Sequence, residues 1–163
     1  MSNEREFSQF YEKYSDKIFR YLYFQTKNFH LAEDLTSEVF TKAWELWGKI
    51  RHDYLQAWVF KVAHNLLVDW YRKKKEMKMP EHFEASYDDN LLEKIQRDEE
   101  ANLLTRALEV LPEKLKRVAI LRFIEGLSAK EVAVILEVSE VNVRVLQHRA
   151  LVKLKEEMKD GQE

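Results

Sequence analysis

The chain has 163 residues, of which 45% are hydrophobic and 34% are charged, with three glycines, two prolines and no cysteine. So few glycines and prolines allow few tight turns, which disfavours a hairpin-rich β fold and favours helices. The lack of cysteine excludes disulfide scaffolds, thiol nucleophiles and cysteine-ligated metal sites. Because no apolar run reaches ~18 residues and the N-terminal segment is polar, we expect a cytoplasmic protein with no membrane span and no secretory signal.

The formal net charge is −2 at pH 7, but the charges are segregated along the chain. Residues 80–105 hold eight acidic and two basic side chains, a net charge of −6, which leaves +4 for the remainder. Residues 72–78 and 144–155 are strongly basic. Since local fields rather than net charge select partners, these two stretches are candidates for contacts with nucleic acid.

Apolar residues in the first half recur at the i, i+3, i+4, i+7 spacing of amphipathic helices. Three such stripes predict a small helical bundle with an aromatic core over residues 1–79, and Gly48 offers an end to the second helix. The stripes consist of Phe7, Phe10, Tyr11, Tyr14, Ile18, Tyr21 and Leu22; of Leu35, Val39, Phe40, Ala43, Trp44 and Trp47; and of Trp58, Val62, Ala63, Leu66, Leu67 and Trp70.

The periodicity weakens after Met79 and Pro80, where the acidic tract begins. We interpret residues 80–101 as an acidic flexible linker, with some helix near residues 91–95. Helical spacing resumes at Leu103, Pro112 stands where a new helix can begin, and Gly126 can end it. The predicted fold is therefore all-α, with two small helical domains at residues 1–79 and 102–163 joined by the linker.

Residues 128–150 carry the signature of a helix-turn-helix. Ser128 and Glu131 have the spacing of a capping box, Val138 fills the predicted turn and Ser139 can cap the second helix. The inward positions of the pair are Val132, Ile135, Leu136, Val143, Leu146 and Ala150. An ordinary helical hairpin has similar caps and stripes, so this alternative stays open on spacing alone. Glu137 falls at a turn position that favours φ > 0, where it would cost about 1 kcal/mol.

The outward face of the second helix favours DNA binding. Arg144 and Asn142 can hydrogen-bond base edges, and Val145 can contact a thymine methyl group. Lys153 and Lys155 can neutralise phosphates. The face also carries His148 and Arg149, and no acidic residue occurs between positions 141 and 155.

The segment from Trp58 to Lys75 combines an aromatic-rich helix with a cationic end. Aromatic rings beside cations suit melted DNA, because bases stack on rings and phosphates need neutralising. A core role for Trp58 and Trp70, with the lysines complementing the helix dipole, is the alternative interpretation.

Three segments, taken in chain order, resemble regions of the sigma-70 family, and specifically its short extracytoplasmic-function (ECF) group. Residues 32–44 (AEDLTSEVFTKAW) resemble region 2.2, and residues 57–75 resemble regions 2.3 and 2.4. Residues 108–154 resemble region 4, including Leu111-Pro112, the Glu125-Gly126-Leu127-Ser128 turn and His148-Arg149-Ala150. Three motifs in the correct order are more specific than any one of them.

The resemblance implies a sigma factor, which binds core RNA polymerase and directs promoter-specific initiation. Region 2.2 would dock on the β′ clamp helices, region 2.4 and residues 49–54 would bind the minus-10 element around an unpaired base, and region 4 would bind the minus-35 element and touch the β flap. An anti-sigma factor is a further partner that the resemblance suggests. The implied polymerase contacts are Glu33, Asp34, Leu35, Glu38, Thr41 and Lys42; the minus-10 contacts are Asn65, Asp69, Arg72, Lys73 and Lys74; the minus-35 contacts are Ser139, Glu140, Asn142, Arg144, Val145, His148, Arg149 and Lys153.

The chain departs from the family pattern at several positions. Many relatives carry arginine at the place of Leu146 and an apolar residue at Gln147, so the polarity here is reversed. Glu137 replaces a common glycine, and His64 stands where relatives often have arginine. These differences affect the individual base contacts that the resemblance implies.

Three other classes of function are weighed against the sigma factor. A free-standing helix-turn-helix regulator would bind a palindrome as a dimer. An adaptor could use Tyr23, Phe24 and Phe29, which lie off the main stripe. An enzyme could use Asp53 or a histidine, but no metal-binding spacing or glycine-rich phosphate loop is present, so we expect no catalytic centre, metal site or cofactor. We expect surface, loop or phosphate-contact roles for His30, His52, His64, His82 and His148.

Overall fold

A computed structural model describes residues 2–77 and 99–160, and every regular element in these ranges is a helix. The chain divides into two compact units, Met1–Ser86 and Tyr87–Glu163. The all-α fold with two helical domains is therefore confirmed. Most of the predicted linker, the helix expected near residues 91–95 and His82 lie outside the described residues.

The first unit is a bundle of three helices that pack pairwise: α1 (Ser2–Thr26), α2 (Phe29–Glu45) and α3 (Leu55–Glu76). Asn28 caps α2, its side-chain oxygen accepting the backbone N–H of Leu31 at 3.0 Å. Two short 3₁₀ turns, Trp47–Lys49 and His52–Tyr54, connect α2 to α3. This connection places a compact loop beside the start of α3.

Aromatic rings pack in the core of the first unit, although Tyr11 and Trp44 of the predicted stripes are exposed. The ring centroid of Phe10 lies 5.1 Å from that of Trp47, 5.3 Å from that of Tyr14 and 5.4 Å from that of Phe40. The prediction that Gly48 ends α2 is wrong, because α2 ends at Glu45 and Gly48 lies inside the first 3₁₀ turn. The earlier end allows Trp47 to turn inward, where it is 4% exposed.

The prediction of a surface, loop or phosphate-contact role is wrong for His64. It lies on the face of α3 that carries Phe60 and Leu67, and it is 9% exposed. Its Nδ1 atom is 3.1 Å from the hydroxyl oxygen of the buried Tyr21. His64 is therefore a core histidine that links α3 to α1 by a hydrogen bond.

The second unit contains α4 (Glu99–Glu109), α5 (Glu113–Ala119), α6 (Ala129–Leu136) and α7 (Glu140–Asp160). Helix α7 packs against each of the other three. The first three residues of α4 occupy the end of the predicted linker, since this helix begins at Glu99. Pro112 caps α5, which continues into a π-helical turn over Ile120–Ile124.

Helices α6 and α7 form the predicted helix-turn-helix. The capping box is present, with Glu131 N–H to Ser128 Oγ and Ser128 N–H to Glu131 Oε1 both at 3.1 Å. Glu137 has φ 57 and ψ 47, in the left-handed region as expected. Ser139 Oγ accepts the backbone N–H of Asn142 at 3.1 Å. Val132, Ile135, Val143 and Ala150 are fully buried as predicted, whereas Leu136 and Leu146 are only half-buried, which corrects the inward set.

Candidate functional site

One face of α2 carries the predicted polar contacts to a protein partner. Glu33, Asp34, Glu38, Thr41 and Lys42 are all exposed on this helix. Leu35 differs from them, because its side chain is 5% exposed and belongs to the bundle core. The α2 surface, defined by the five exposed residues, therefore contains charges of both signs and a hydroxyl group.

The predicted minus-10 residues lie along the C-terminal part of α3, where Asn65, Arg72 and Lys73 are exposed and Asp69 and Lys74 are half-buried. Asp69 accepts a hydrogen bond from Arg72 and lies 3.3 Å from Lys73 Nζ. The hydrogen bond from Arg72, followed by that from Lys73, lowers the pKa of the Asp69 carboxyl group. Lys74 Nζ lies 5.1 Å from the ring centroid of Trp70. Asp69 thus holds two of the cations in place.

Asn65 is exposed one helical turn before Asp69 on the same helix. The basic end of α3, defined by Asn65, Asp69, Arg72, Lys73 and Lys74, therefore combines amide, carboxylate and cationic groups within three turns. Tyr71 anchors this region to the bundle, since its hydroxyl group donates to the backbone oxygen of Gln25 at 3.2 Å.

A cavity of about 300 Å³ opens beside the start of α3. The guanidinium carbon of Arg51 is 5.1 Å from the ring centroid of Tyr54, and its Nη2 atom is 3.3 Å from Asp53. Two aromatic rings and two cations thus surround a space with an apolar floor. The lining residues are Leu46, Lys49, Ile50, Arg51, Tyr54 and Trp58.

The sequence predicted residues 49–54 as the loop around an unpaired base, and four of these positions line the cavity. Leu46 was missed, because it follows the end of α2 and belongs to none of the predicted stripes. Trp58, which the sequence left open between a core role and stacking on melted DNA, lines the cavity from the first turn of α3.

Helix α7 exposes the predicted DNA contacts on its outer side. Six of them, from Asn142 to Lys153, and the preceding Ser139 are exposed, and only Glu140 is half-buried. Val143 and Ala150 are fully buried on the opposite side. The exposed members are Ser139, Asn142, Arg144, Val145, His148, Arg149 and Lys153. This face has the donors and the methyl groups that major-groove recognition requires.

Sequence reasoning missed one polar contact behind that face. Arg122 Nε donates to Gln147 Oε1 at 2.7 Å, and Arg122 Nη1 donates to the backbone oxygen of Leu127 at 2.6 Å. The polar Gln147 at a position that is often apolar was the available signal. Its partner, which is 25 residues earlier, could only come from the structure.

Within residues 2–77 and 99–160, no three His, Asp or Glu side chains are grouped closely enough to hold a metal ion. In the same ranges, none of the helices combines the length and hydrophobicity that a membrane crossing requires.

Comparison with known proteins matches both units to characterised families. Residues 10–77 match Sigma-70 region 2, and residues 101–154 match Sigma-70, region 4. The ECF RNA polymerase sigma factor SigM of Bacillus subtilis is 31% identical over 149 residues, which cover 90% of this chain and 91% of SigM. The ECF RNA polymerase sigma factor BldN of Streptomyces coelicolor is 32% identical, over 89% of this chain and 57% of BldN.

Solved structures share the same fold. The sigma factor RpoE from Bartonella quintana, in complex with the anti-sigma factor NepR, has a TM-score of 0.75 at 20% identity, over 95% of this chain and 98% of that one. CnrH in complex with the cytosolic domain of CnrY has a TM-score of 0.72 at 21% identity, over 96% of this chain and 90% of that one.

Proposed function

This chain belongs to the ECF group of the sigma-70 family of RNA polymerase sigma factors, and from this membership we propose which surface makes each contact. As a sigma factor it binds core RNA polymerase and directs transcription initiation at specific promoters. The family assignment does not favour a free-standing helix-turn-helix regulator. Sigma factors in general are not enzymes, and we extend this to the present chain, for which we also propose a cytoplasmic location.

The α2 surface is the proposed docking site for the β′ clamp helices of the polymerase. Its support is the exposure of Glu33, Asp34, Glu38, Thr41 and Lys42 along one helix that resembles region 2.2. Leu35 is left out of the contact set, because its buried side chain holds α2 against the bundle. Charge pairs at such a surface select the partner and its orientation.

The basic end of α3 and the neighbouring cavity are the proposed minus-10 site. Arg72, Lys73 and Lys74 neutralise phosphates, while Asp69 keeps the first two of these side chains oriented. The cavity accepts an unpaired base, which stacks on aromatic side chains there. Extruding a base costs a few kcal/mol, and stacking together with contacts to Lys49 and Arg51 offsets this cost.

The exposed face of α7 is the proposed minus-35 site. The observation that carries this proposal is the geometry of a capped helix-turn-helix whose second helix presents Arg144, His148 and Arg149 to solvent. Asn142 and Val145 add base-edge contacts and Lys153 adds a phosphate contact, while Ser139 and Glu140 form the N-terminal end of the helix. The same unit would touch the β flap.

An anti-sigma factor is a further proposed partner. Of the solved structures with this fold, RpoE is bound to the anti-sigma factor NepR, and CnrH is bound to the cytosolic domain of CnrY. A protein that covers the α2 surface or the α7 face would prevent the contacts proposed above.

Run-off transcription with core RNA polymerase over a random promoter library tests the function directly. We expect the full chain to select templates with two fixed elements, one melted and one double-stranded. No template enrichment, or no complex with core on gel filtration, would refute the proposal. A stable dimer with tight binding to a palindromic duplex in the absence of polymerase would favour the free-standing regulator instead.

A charge reversal on the α2 surface tests the docking site. We expect Asp34→Arg to abolish co-elution with core polymerase. The new arginine would either repel a basic group of the polymerase or lie in the contact without an oppositely charged partner. Glu12→Arg makes the same change at an exposed position of α1 and is the matched control. Equal loss in both variants would show that net charge, and not the α2 surface, governs docking.

A further inference from the structure

The turn between α5 and α6 has an unusual backbone. Its π-helical residues, Ile120–Ile124, include Arg122, and the N–H of Glu125 donates to the oxygen of Ile120 at 2.9 Å. Gly126 then adopts φ 73, and the N–H of Leu127 returns to the oxygen of Leu121 at 2.9 Å. Single π turns inside helices are rare and occur frequently at functional sites.

The side chain of Arg122 uses this turn to reach two other elements. Its Nη1 atom donates to Leu127 at the entrance of α6, and its Nε atom donates to the side chain of Gln147 on α7. We call these two hydrogen bonds the Arg122 bridge. Both partners are acceptors, both distances are below 2.8 Å, and a guanidinium group presents its donors in a fixed planar arrangement.

The inner side of α7 carries a row of buried apolar side chains, Val143, Ala150 and Leu154. Val143 and Ala150, the fully buried residues on either side of Gln147, are small, and Leu146 is only half-buried. Burial of small side chains is non-directional, whereas a hydrogen bond fixes both distance and angle. Gln147, the residue of α7 in the Arg122 bridge, lies between Val143 and Ala150 along the helix and about one helical turn after Arg144.

We propose that Arg122 is a positioning residue for minus-35 recognition, which holds Gln147 and so sets the rotation of α7 about its axis. Gln147 belongs to this internal bridge and does not contact DNA. This inference rests on the proposed function of α7, and it explains why the chain carries a polar residue at a position that is often apolar.

The hydrogen bond itself is tested by NMR on the full chain. We expect the Arg122 Nε–H to exchange slowly with solvent, and this protection to be lost in Gln147→Leu, which removes the acceptor at similar volume. Gln147→Glu keeps an acceptor and should keep the protection. A fast-exchanging Arg122 Nε–H in the unchanged protein would overturn the proposal.

The positioning role is tested by run-off transcription with core polymerase. The templates are a promoter selected from the random library and its copy with a changed minus-35 element. We expect Gln147→Leu and Arg122→Lys each to lower the ratio between the two templates by about fivefold, the effect of losing one hydrogen bond of typical strength. Initiation that depends on the minus-10 element should be unchanged in both variants. Arg117→Lys, an equivalent change at a half-buried arginine of α5, should leave the ratio between the two templates unchanged.

Two further variants separate positioning from direct contact. If residue 147 faces Arg122, Gln147→Glu should retain the discrimination between the two templates. If it faces DNA phosphates, the new carboxylate should repel them and the discrimination should fall. The double variant Arg122→Lys/Gln147→Leu should lose no more than Arg122→Lys alone, because Arg122→Lys already removes the contact that Gln147→Leu removes. Additive losses, or Gln147→Glu as impaired as Gln147→Leu, would overturn the proposal. If the unchanged protein shows no minus-35 discrimination, the proposed function of α7 fails instead.

Discussion

Glu137 and Asp69 are residue types that are unexpected at their positions in this protein. Glu137 takes the left-handed conformation that ends α6, with φ 57, although its Cβ atom makes this conformation unfavourable. Asp69 lies among the cations of a proposed DNA site, where its carboxylate is paired with Arg72 and Lys73. A substitution at each position can measure the effect of the residue on the free energy of unfolding or on DNA binding.

Replacing Glu137 by glycine should stabilise the second unit by about 1 kcal/mol, because glycine adopts φ > 0 without a Cβ clash. Urea unfolding followed by circular dichroism measures this change. Glu156→Gly, at an exposed position inside α7, is the control with the opposite sign and should destabilise by about 1 kcal/mol. A loss of stability in Glu137→Gly would show that the side-chain contacts of Glu137 outweigh the backbone cost.

Replacing Asp69 by asparagine should strengthen non-specific DNA binding and weaken promoter discrimination, because Arg72 and Lys73 lose the group that orients them. The slope of log affinity against log salt should become steeper by about one, the effect of one additional phosphate contact. Fluorescence anisotropy with a random duplex over a series of salt concentrations measures the non-specific affinity and the salt slope, and run-off transcription from paired promoters measures the discrimination. Glu113→Gln, which removes an exposed carboxylate paired with Arg117 on α5, away from the proposed DNA contacts, is the matched control.

The same pair predicts a pH dependence. The pKa of Asp69 is lowered in the folded chain, so its pairing stabilises the fold above the ordinary pKa of aspartate and this contribution is lost as the pH falls through the lowered value. The difference in unfolding free energy between the unchanged protein and Asp69→Asn should therefore be constant near neutral pH and disappear in acid. A difference in unfolding free energy that grows as the pH falls would contradict a lowered pKa for Asp69.

At the scale of the elements, α7 combines two tasks on opposite sides. Its inner side packs against α4, α5 and α6, and its outer side carries the proposed minus-35 contacts. The helix can present an uninterrupted donor face because its structural contacts use Val143, Ala150 and Leu154, together with the bond from Gln147 to Arg122.

Removing one base contact and one phosphate contact from α7 should have different effects. Arg144→Ala should lower minus-35 discrimination by about 1–3 kcal/mol, since arginine can bind a guanine edge through two hydrogen bonds. Lys153→Ala should weaken binding to all sequences equally and reduce the salt slope by about one. Transcription from paired promoters that differ in the minus-35 element checks both. An unchanged promoter ranking in Arg144→Ala would refute the assigned recognition face.

At the scale of the whole molecule, each unit has its own hydrophobic core. The first is built largely from aromatic side chains such as Phe10, Tyr21 and Phe60, and the second from aliphatic side chains such as Leu108 and Leu121. Two small cores favour two separate unfolding units. A sigma factor with two DNA-binding units gains apparent affinity when both are held on one polymerase, because the second contact becomes intramolecular.

Phe60→Ala should destabilise the first unit by about 3–5 kcal/mol, because it leaves a cavity at a fully buried position. Native-state hydrogen exchange should then show lost protection in residues 2–77 and retained protection in residues 99–160. Leu121→Ala is the reciprocal variant, with the opposite pattern expected. Loss of protection in both units from either change would show that they unfold as one.

Local patterns in the sequence were sufficient for the helical fold class, the capping box at Ser128, the strained position at Glu137 and the exposed face of α7. These features depend on periodicity and on residues a few positions apart, so short-range physical chemistry determines them. The position of His64 against Tyr21, the end of α2 before Trp47, the cavity between Leu46 and Trp58, and the Arg122 bridge were not predicted. Each depends on groups that are distant in sequence or on the path of a connecting loop, and only the packing of helices brings such groups within bonding distance.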